Sequence, residues 1–201
     1  MTEPARKEAI YEDLYTISDN MTGEIINGEL IVTPKPSPRH ARAAVALGSK
    51  IPPRYDFGEG GGPGGWIILS EVEIMFGKDL LVPDWSGWKK ERFPGWPENN
   101  WFAIAPDWVC EILSPSTAGN DKITKMDIYA RFEVSYYWLV DPRDRILETF
   151  VLKSGTWARV GGFMENAKVK AEPFIELEFD LGTFWAEERH APQAGPAESD
   201  S

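Results

Sequence analysis

Two acids stand inside strand-like apolar sequence, Asp84 in Leu81-Val82-Pro83-Asp84-Trp85 and Glu111 in Trp108-Val109-Cys110-Glu111-Ile112-Leu113, and Lys125 follows in a helix-like stretch. A carboxylate within an apolar strand is costly to desolvate, so it is kept where a cation, a hydrogen-bond network or a ligand compensates it. Two carboxylates and an ammonium are what phosphodiester hydrolysis around a hard cation requires: oxygens to hold the ion, and a positive charge to offset the phosphoryl oxygens. If the two strands are neighbours, both carboxylates emerge at one end of a sheet and share one Mg²⁺, with the backbone carbonyl of Ile112 as a third ligand. The plainer alternative is that Asp84 caps a turn and Glu111 pairs with a basic side chain. In that reading Asp121 and Lys125 form an exposed i,i+4 helix pair contributing about 0.2–0.5 kcal/mol. Chain order favours the chemical reading, because the Lys125 helix directly follows the Glu111 strand and can aim an ammonium back at it; Lys122 is the weaker candidate for that role.

Composition narrows the chemistry. The chain has 201 residues, 42% of them hydrophobic, enough for one substantial core. We expect a single domain over residues 1–186 and a disordered tail over 187–201, rich in Ala, Pro and Glu. No apolar run is long enough to cross a bilayer and the first residues are polar, so the expected location is cytoplasmic. One cysteine and two histidines provide no thiolate or imidazole cluster for structural zinc, which leaves an oxygen-liganded metal. The formal net charge of −11 weighs against nucleic acid, because phosphate contacts rely on Lys and Arg. Some of that acid lies in the tail. Basic residues gather modestly at Lys35, Arg39, Arg42, Lys50 and Arg54, at Lys89, Lys90 and Arg92, and at Lys122 and Lys125.

The elements that would position these groups can be read in outline. A weak helical lead-in covers residues 1–18, with Ile10, Leu14 and Ile17 at helical spacing. Asn27-Gly28 between two β-branched runs over residues 24–32 predicts a type I′ hairpin. Ser37-Pro38 opens a helix to about Lys50, with Ser as N-cap and Pro at the first helical position. Residues 56–65 form a Gly-rich connection, and 66–76 and 80–85 read as two strands around Gly77-Lys78-Asp79, the second ending at Pro83-Asp84. The stretch 88–101 reads as a surface excursion. Residues 108–113 form a central strand broken by Ser114-Pro115-Ser116-Thr117, and 121–132 a helix with Ile123, Met126, Tyr129 and Ala130 inward. Residues 136–141 form a strand parallel to the first, and 146–152, 157–160 and 174–179 are shorter antiparallel strands. The expectation is an α/β fold with a mixed sheet flanked by helices.

In order and spacing, several motifs together resemble the Uma-two family of restriction-endonuclease-type proteins, a branch of the PD-(D/E)XK nuclease superfamily. The resemblance spans residues 12–181 and rests on Gly23-Glu24-Ile25-Ile26-Asn27-Gly28-Glu29-Leu30, Pro36-Ser37-Pro38-Arg39-His40, Pro83-Asp84, and Glu111-Ile112-Leu113-Ser114-Pro115-Ser116-Thr117. Asp121 with Lys125 and Tyr129, and Tyr137-Trp138-Leu139-Val140-Asp141-Pro142, complete it. It implies a restriction-endonuclease-like core with additional antiparallel strands at both ends of the chain, Asp84 and Glu111 as ligands of Mg²⁺ or Mn²⁺, and DNA as substrate. The lysine that the superfamily places two residues after the second acid is Leu113 here. Lys125 looks like its replacement, which is mechanically acceptable because the requirement is a cation near the attacking water. The resemblance also makes Glu24 an additional acid near the metal; its alternative is an edge-hairpin acid.

His40, in the first turn of its helix, could contact a scissile phosphate or carry a proton, its ordinary pKa being about 6.5, or could simply bond nearby backbone. Glu71 and Glu73 could reach the site or be solvated strand acids. The nine tryptophans read as packing, with no regular interleaving of basic residues. By analogy with nucleases of this core a homodimer is expected, with the aromatic C-terminal strands as its surface. The competing function is a nuclease-like scaffold that binds nucleic acid or protein without cutting.

Overall fold

The protein is described by a computed structural model over residues 8–115 and 119–186. The expected tail, the first seven residues of the lead-in and Ser116-Thr117 of the strand break lie outside the described residues.

Strands β1 (Met21–Ile26) and β2 (Glu29–Pro34) form the expected hairpin, in register from Met21 opposite Pro34 to Ile26 opposite Glu29. Its turn residues Asn27 and Gly28 have φ of 52° and 79°, the left-handed pair that a type I′ turn requires. Helix α1 (Pro38–Gly48) starts as expected, Ser37 Oγ accepting the His40 N–H at 3.3 Å, and a short α2 (Ile51–Tyr55) follows.

The next segment corrects the sequence reading. Residues 66–76 are not one strand but two, β3 (Trp66–Ser70) and β4 (Glu73–Phe76), parted at Glu71, whose φ of 51° breaks the extended path. Residues 80–85 likewise split into β5 (Asp79–Leu81) and β6 (Trp85–Lys89) around Val82-Pro83-Asp84. Pro83 has no N–H to give a ladder, and the chain uses that break to pass between sheets. Asp84 therefore begins a strand rather than ending one. Trp88 is fully buried within β6 and not part of a surface excursion.

Strands β7 (Trp101–Phe102), β8 (Trp108–Ile112), β9 (Tyr136–Asp141), β10 (Ile146–Lys153) and β11 (Thr156–Met164) complete two sheets. One has the order β2-β1-β5-β4-β7 and the other β11-β10-β9-β8-β6-β3. A small ladder of β12 (Lys168–Val169) with β13 (Phe179–Asp180) replaces the strand expected over 174–179, whose Phe174 instead buries its ring among Tyr55, Trp66, Trp108 and Trp138.

All five residues of β8 are buried. Trp108, Cys110 and Ile112 face a core shared with Ala43 and Leu47 of α1 and the C-terminal aromatics; Val109 and Leu113 face a second core with Ile74, Phe76 and Tyr137. Period-two alternation places Glu111 on the second side. Strand β8 is parallel to β9 and antiparallel to β6, so the crossover between β8 and β9 carries the Lys125 helix over the face that Glu111 points to. That helix is π-helical over Asn120–Lys125 before becoming α3 (Met126–Arg131). The wide turn rotates the inward face relative to an ideal α-helix. Asp121 and Lys125 are buried while Ile123, expected inside, is 66% exposed.

Candidate active site

Register builds the centre. Trp85 pairs with Cys110 across the antiparallel β6–β8 ladder, and one further step sets Asp84 against Glu111. Asp84 Oδ2 accepts the Ile112 N–H at 2.6 Å, which ties the acid to the strand it faces, and its Oδ1 lies 3.0 Å from His40 Nε2. From the other sheet β1 contributes Glu24, whose Oε1 accepts the Val82 N–H at 2.8 Å.

Lys125 closes the arrangement from the helix. Its Nζ is 2.9 Å from Glu24 Oε1, 3.2 Å from Asp121 Oδ1 and 3.3 Å from Glu111 Oε1. Tyr129, one turn further on, donates its hydroxyl to Glu111 Oε1 at 2.5 Å, and Tyr137 donates to the Asp121 carbonyl at 3.0 Å. The Asp121–Lys125 pair is thus no exposed surface bridge: both side chains are nearly inaccessible to water.

Glu24, His40, Asp84, Glu111, Ile112 and Lys125 line one cavity of about 570 Å³. Glu24, His40, Asp84, Glu111, Ile112 and Lys125 are thus brought together, whereas Lys122, the weaker candidate for the ammonium, is exposed and does not line the cavity. His40 bonds a carboxylate, not backbone, and Glu71 and Glu73 lie on the rim. The sequence reading placed Tyr129 on the inward helix face and in the motif with Asp121 and Lys125 but gave it no role at the site; the three at steps of four form a polar stripe that signals one. Tyr11, which donates to Glu73 Oε2 at 2.7 Å, was missed, and no local pattern announces it.

Charge is unbalanced in this space. Four carboxylates, Glu24, Asp84, Glu111 and Asp121, surround one ammonium and one imidazole. Burial pushes the Glu111 carboxyl well above its usual range; Lys125 opposes this, and Asp121, Asp84 and Glu24 add to it. Burial alone would lower Lys125, but Glu111, Glu24 and Asp121 outweigh it and hold the amine protonated well above its ordinary value. For His40 too burial lowers the pKa, and the hydrogen bond and charge of Asp84, with Glu71 and Asp121, reverse the direction to a net rise. Burial and the facing Glu111 push the Tyr129 hydroxyl well up, so it remains a donor.

The donor set suits a hard divalent cation: carboxylate oxygens, excess negative charge and no thiolate. Among the described residues no three His, Cys, Asp or Glu side chains stand together as a ready ligand cage. Asp84, Glu111 and the Ile112 carbonyl would hold such an ion with water completing its shell, the mode Mg²⁺ favours.

Three comparisons bear on this geometry. A model of the family Uma2, described as "Putative restriction endonuclease", matches residues 10–183. No curated protein matches the chain. Among solved structures the chain is similar to a protein of Anabaena variabilis ATCC 29413 described as "a putative nuclease belonging to DUF820". The TM-score is 0.69 at 24% identity, covering 88% of this chain and 97% of that one. That likeness concerns the fold.

Proposed function

The chain belongs to the Uma2 family, a nuclease family of restriction-endonuclease type, and on that premise we propose that it is a Mg²⁺- or Mn²⁺-dependent endonuclease that hydrolyses DNA phosphodiesters. The observation that carries the reading is that Asp84, tied to β8 through the Ile112 N–H, and Glu111 line one cavity, with the Lys125 ammonium 3.3 Å from Glu111 Oε1. When bound, a divalent cation supplies Lewis acidity at the phosphoryl oxygen and eases deprotonation of the attacking water. Asp84 and Glu111 would hold it, with the Ile112 carbonyl. Lys125 stays charged at the pH of reaction, orients water and offsets the charge that grows on the phosphoryl oxygens. Glu24 and Asp121 fix the Lys125 side chain, and Tyr129 orients Glu111. His40 braces Asp84 through Nε2 and stands at the cavity wall where a proton carrier is useful.

Further parts of the reading are a single nuclease domain, a cytoplasmic location and a homodimer. No helix among the described residues is long and apolar enough to cross a membrane. A dimer would supply two centres for two strands, and β11, the terminal strand of its sheet with Val160 and Met164 exposed, supports pairing with a second copy. The test of function is nicking of supercoiled plasmid by purified protein with Mg²⁺ or Mn²⁺, abolished by Asp84→Ala, together with a rise in melting temperature on adding Mn²⁺. The net charge of −11 favours a second reading, a nuclease-like module that binds nucleic acid or protein without cutting. Absence of both cleavage and metal stabilisation would select it.

A further inference from the structure

Beside the acidic cavity lies a second of about 420 Å³, walled by Ala41, Ala44, Val45 and Gly48 of α1 and by Trp85. It is continuous with the first: Pro36, His40, Glu71 and Asp84 line both. Its walls are apolar and its neck is acidic, and among the described residues no Lys or Arg lines it. A phosphate is repelled by Glu71 and Asp84, and the His40 imidazole that also lines this space is already engaged by Asp84, whereas a flat neutral group is accepted. The half-buried Trp85 ring is placed with care. A Cβ on Gly48 would come 2.7 Å from Trp85 Cη2 and Cζ2, so only glycine lets the indole lie against the helix. The indole N–H is buried without an acceptor, so hydrogen bonding does not account for the ring's position. Glu71, in a left-handed conformation unusual for a residue with a side chain, stands where the two cavities meet.

We propose that this second cavity receives an unstacked nucleobase next to the scissile phosphate, held against Trp85, and that the substrate is therefore single-stranded or locally opened nucleic acid. The inference rests on the nuclease reading above and deepens it. Asp84 lines both cavities and Trp85 the second, so a phosphate group held at the first leaves its adjoining base beside the indole. Stacking also resolves the problem of charge. A chain of net charge −11 gains little from phosphate contacts along a duplex, and a base on an aromatic ring supplies affinity independent of salt bridges.

The test measures binding of a fluorescent oligonucleotide by anisotropy, single-stranded against the same sequence in duplex, with Ca²⁺ present so that binding is read without turnover. The wild-type protein is expected to prefer the single strand by about tenfold or more. Ala41→Trp, an exposed position whose new side chain fills the cavity, should abolish that preference with an unchanged melting temperature. If Ala41→Trp fails to fold, Val45→Trp, at a position 66% exposed, makes the same test. Equal affinity for both forms, or a preference that survives the filled cavity, overturns the proposal. Cleavage that is lost in Asp84→Ala while the filling variant changes nothing removes the base site alone. Single-strand binding that responds to the filling variant, without any cleavage, removes hydrolysis and keeps the base site.

Discussion

His40 Nε2 stands 3.0 Å from one oxygen of Asp84, and the other oxygen of that carboxylate takes the Ile112 N–H at 2.6 Å. Asp84 is thus oriented from two elements, a helix and a neighbouring strand, before any ligand arrives. Groups that orient a ligating carboxylate from behind commonly govern metal affinity by about 10–100-fold. His40→Ala should raise the Mn²⁺ concentration needed for half-maximal stabilisation by that order and lower cleavage in parallel. His40→Asn or His40→Gln, which keep a donor, should recover part of both. Isothermal titration with Mn²⁺ checks it, and an unchanged affinity in His40→Ala refutes the bracing role.

Lys125→Met leaves Glu24, Glu111 and Asp121 facing one another without a counter-charge. Removing one partner of a buried ionic cluster costs about 3–5 kcal/mol, so the metal-free variant should unfold at markedly lower denaturant and lose cleavage. Added Mn²⁺ should recover stability but not activity. Equilibrium urea unfolding with and without metal reads both effects.

Glu111→Gln should do the opposite to stability. An acid whose folded pKa is raised above its unfolded value of about 4.3 gives its full contribution below that value, and stability falls as pH rises from there through the folded pKa. The raised Glu111 therefore costs the metal-free protein stability at neutral pH. Glutamine keeps an oxygen for Lys125 and Tyr129 and removes the charge. Thermal scans from pH 4 to 8 in chelator should show Glu111→Gln melting several degrees higher at neutral pH, with the gap closing towards pH 4. The variant should not cleave.

Tyr129→Phe deletes the shortest contact to Glu111. A hydrogen bond to a charged acceptor contributes about 1.5–3 kcal/mol, and without it Glu111 keeps the longer contact of 3.3 Å to Lys125. We expect a loss of that size in urea unfolding and a reduced cleavage rate with little change in substrate affinity, read by steady-state kinetics.

Much of the fold was legible where local chemistry decides it. Asn27-Gly28 leaves little alternative to a type I′ turn, Ser37-Pro38 to a helix start, and the apolar run around Glu111 to a central strand. The exchange of strands between sheets was not legible, because it depends on Glu71 and Pro83 breaking pairings whose partners lie far off in sequence. The expected inward face of the 121–132 helix failed at Ile123 because nothing in the residue types marks a π-helical turn. The members of the candidate cavity could be listed beforehand, Asp84, Glu111 and Lys125 because strand acids and a helix lysine stand out by type, and Glu24 and His40 with the help of the family resemblance. Their connections could not: that Glu24 and Asp121 bind Lys125, and that His40 takes Asp84 as partner, are facts of tertiary placement.

Glu24 belongs to one sheet, Glu111 to the other, and Lys125 grips both. The amine is therefore a rivet between two layers as well as the group to which the proposed mechanism assigns a charge role. That lysine cannot be deleted without loosening the body that carries it. On the nuclease reading, a descendant that gave up cutting would more easily surrender Asp84 or His40, which join no second sheet, and keep the rivet.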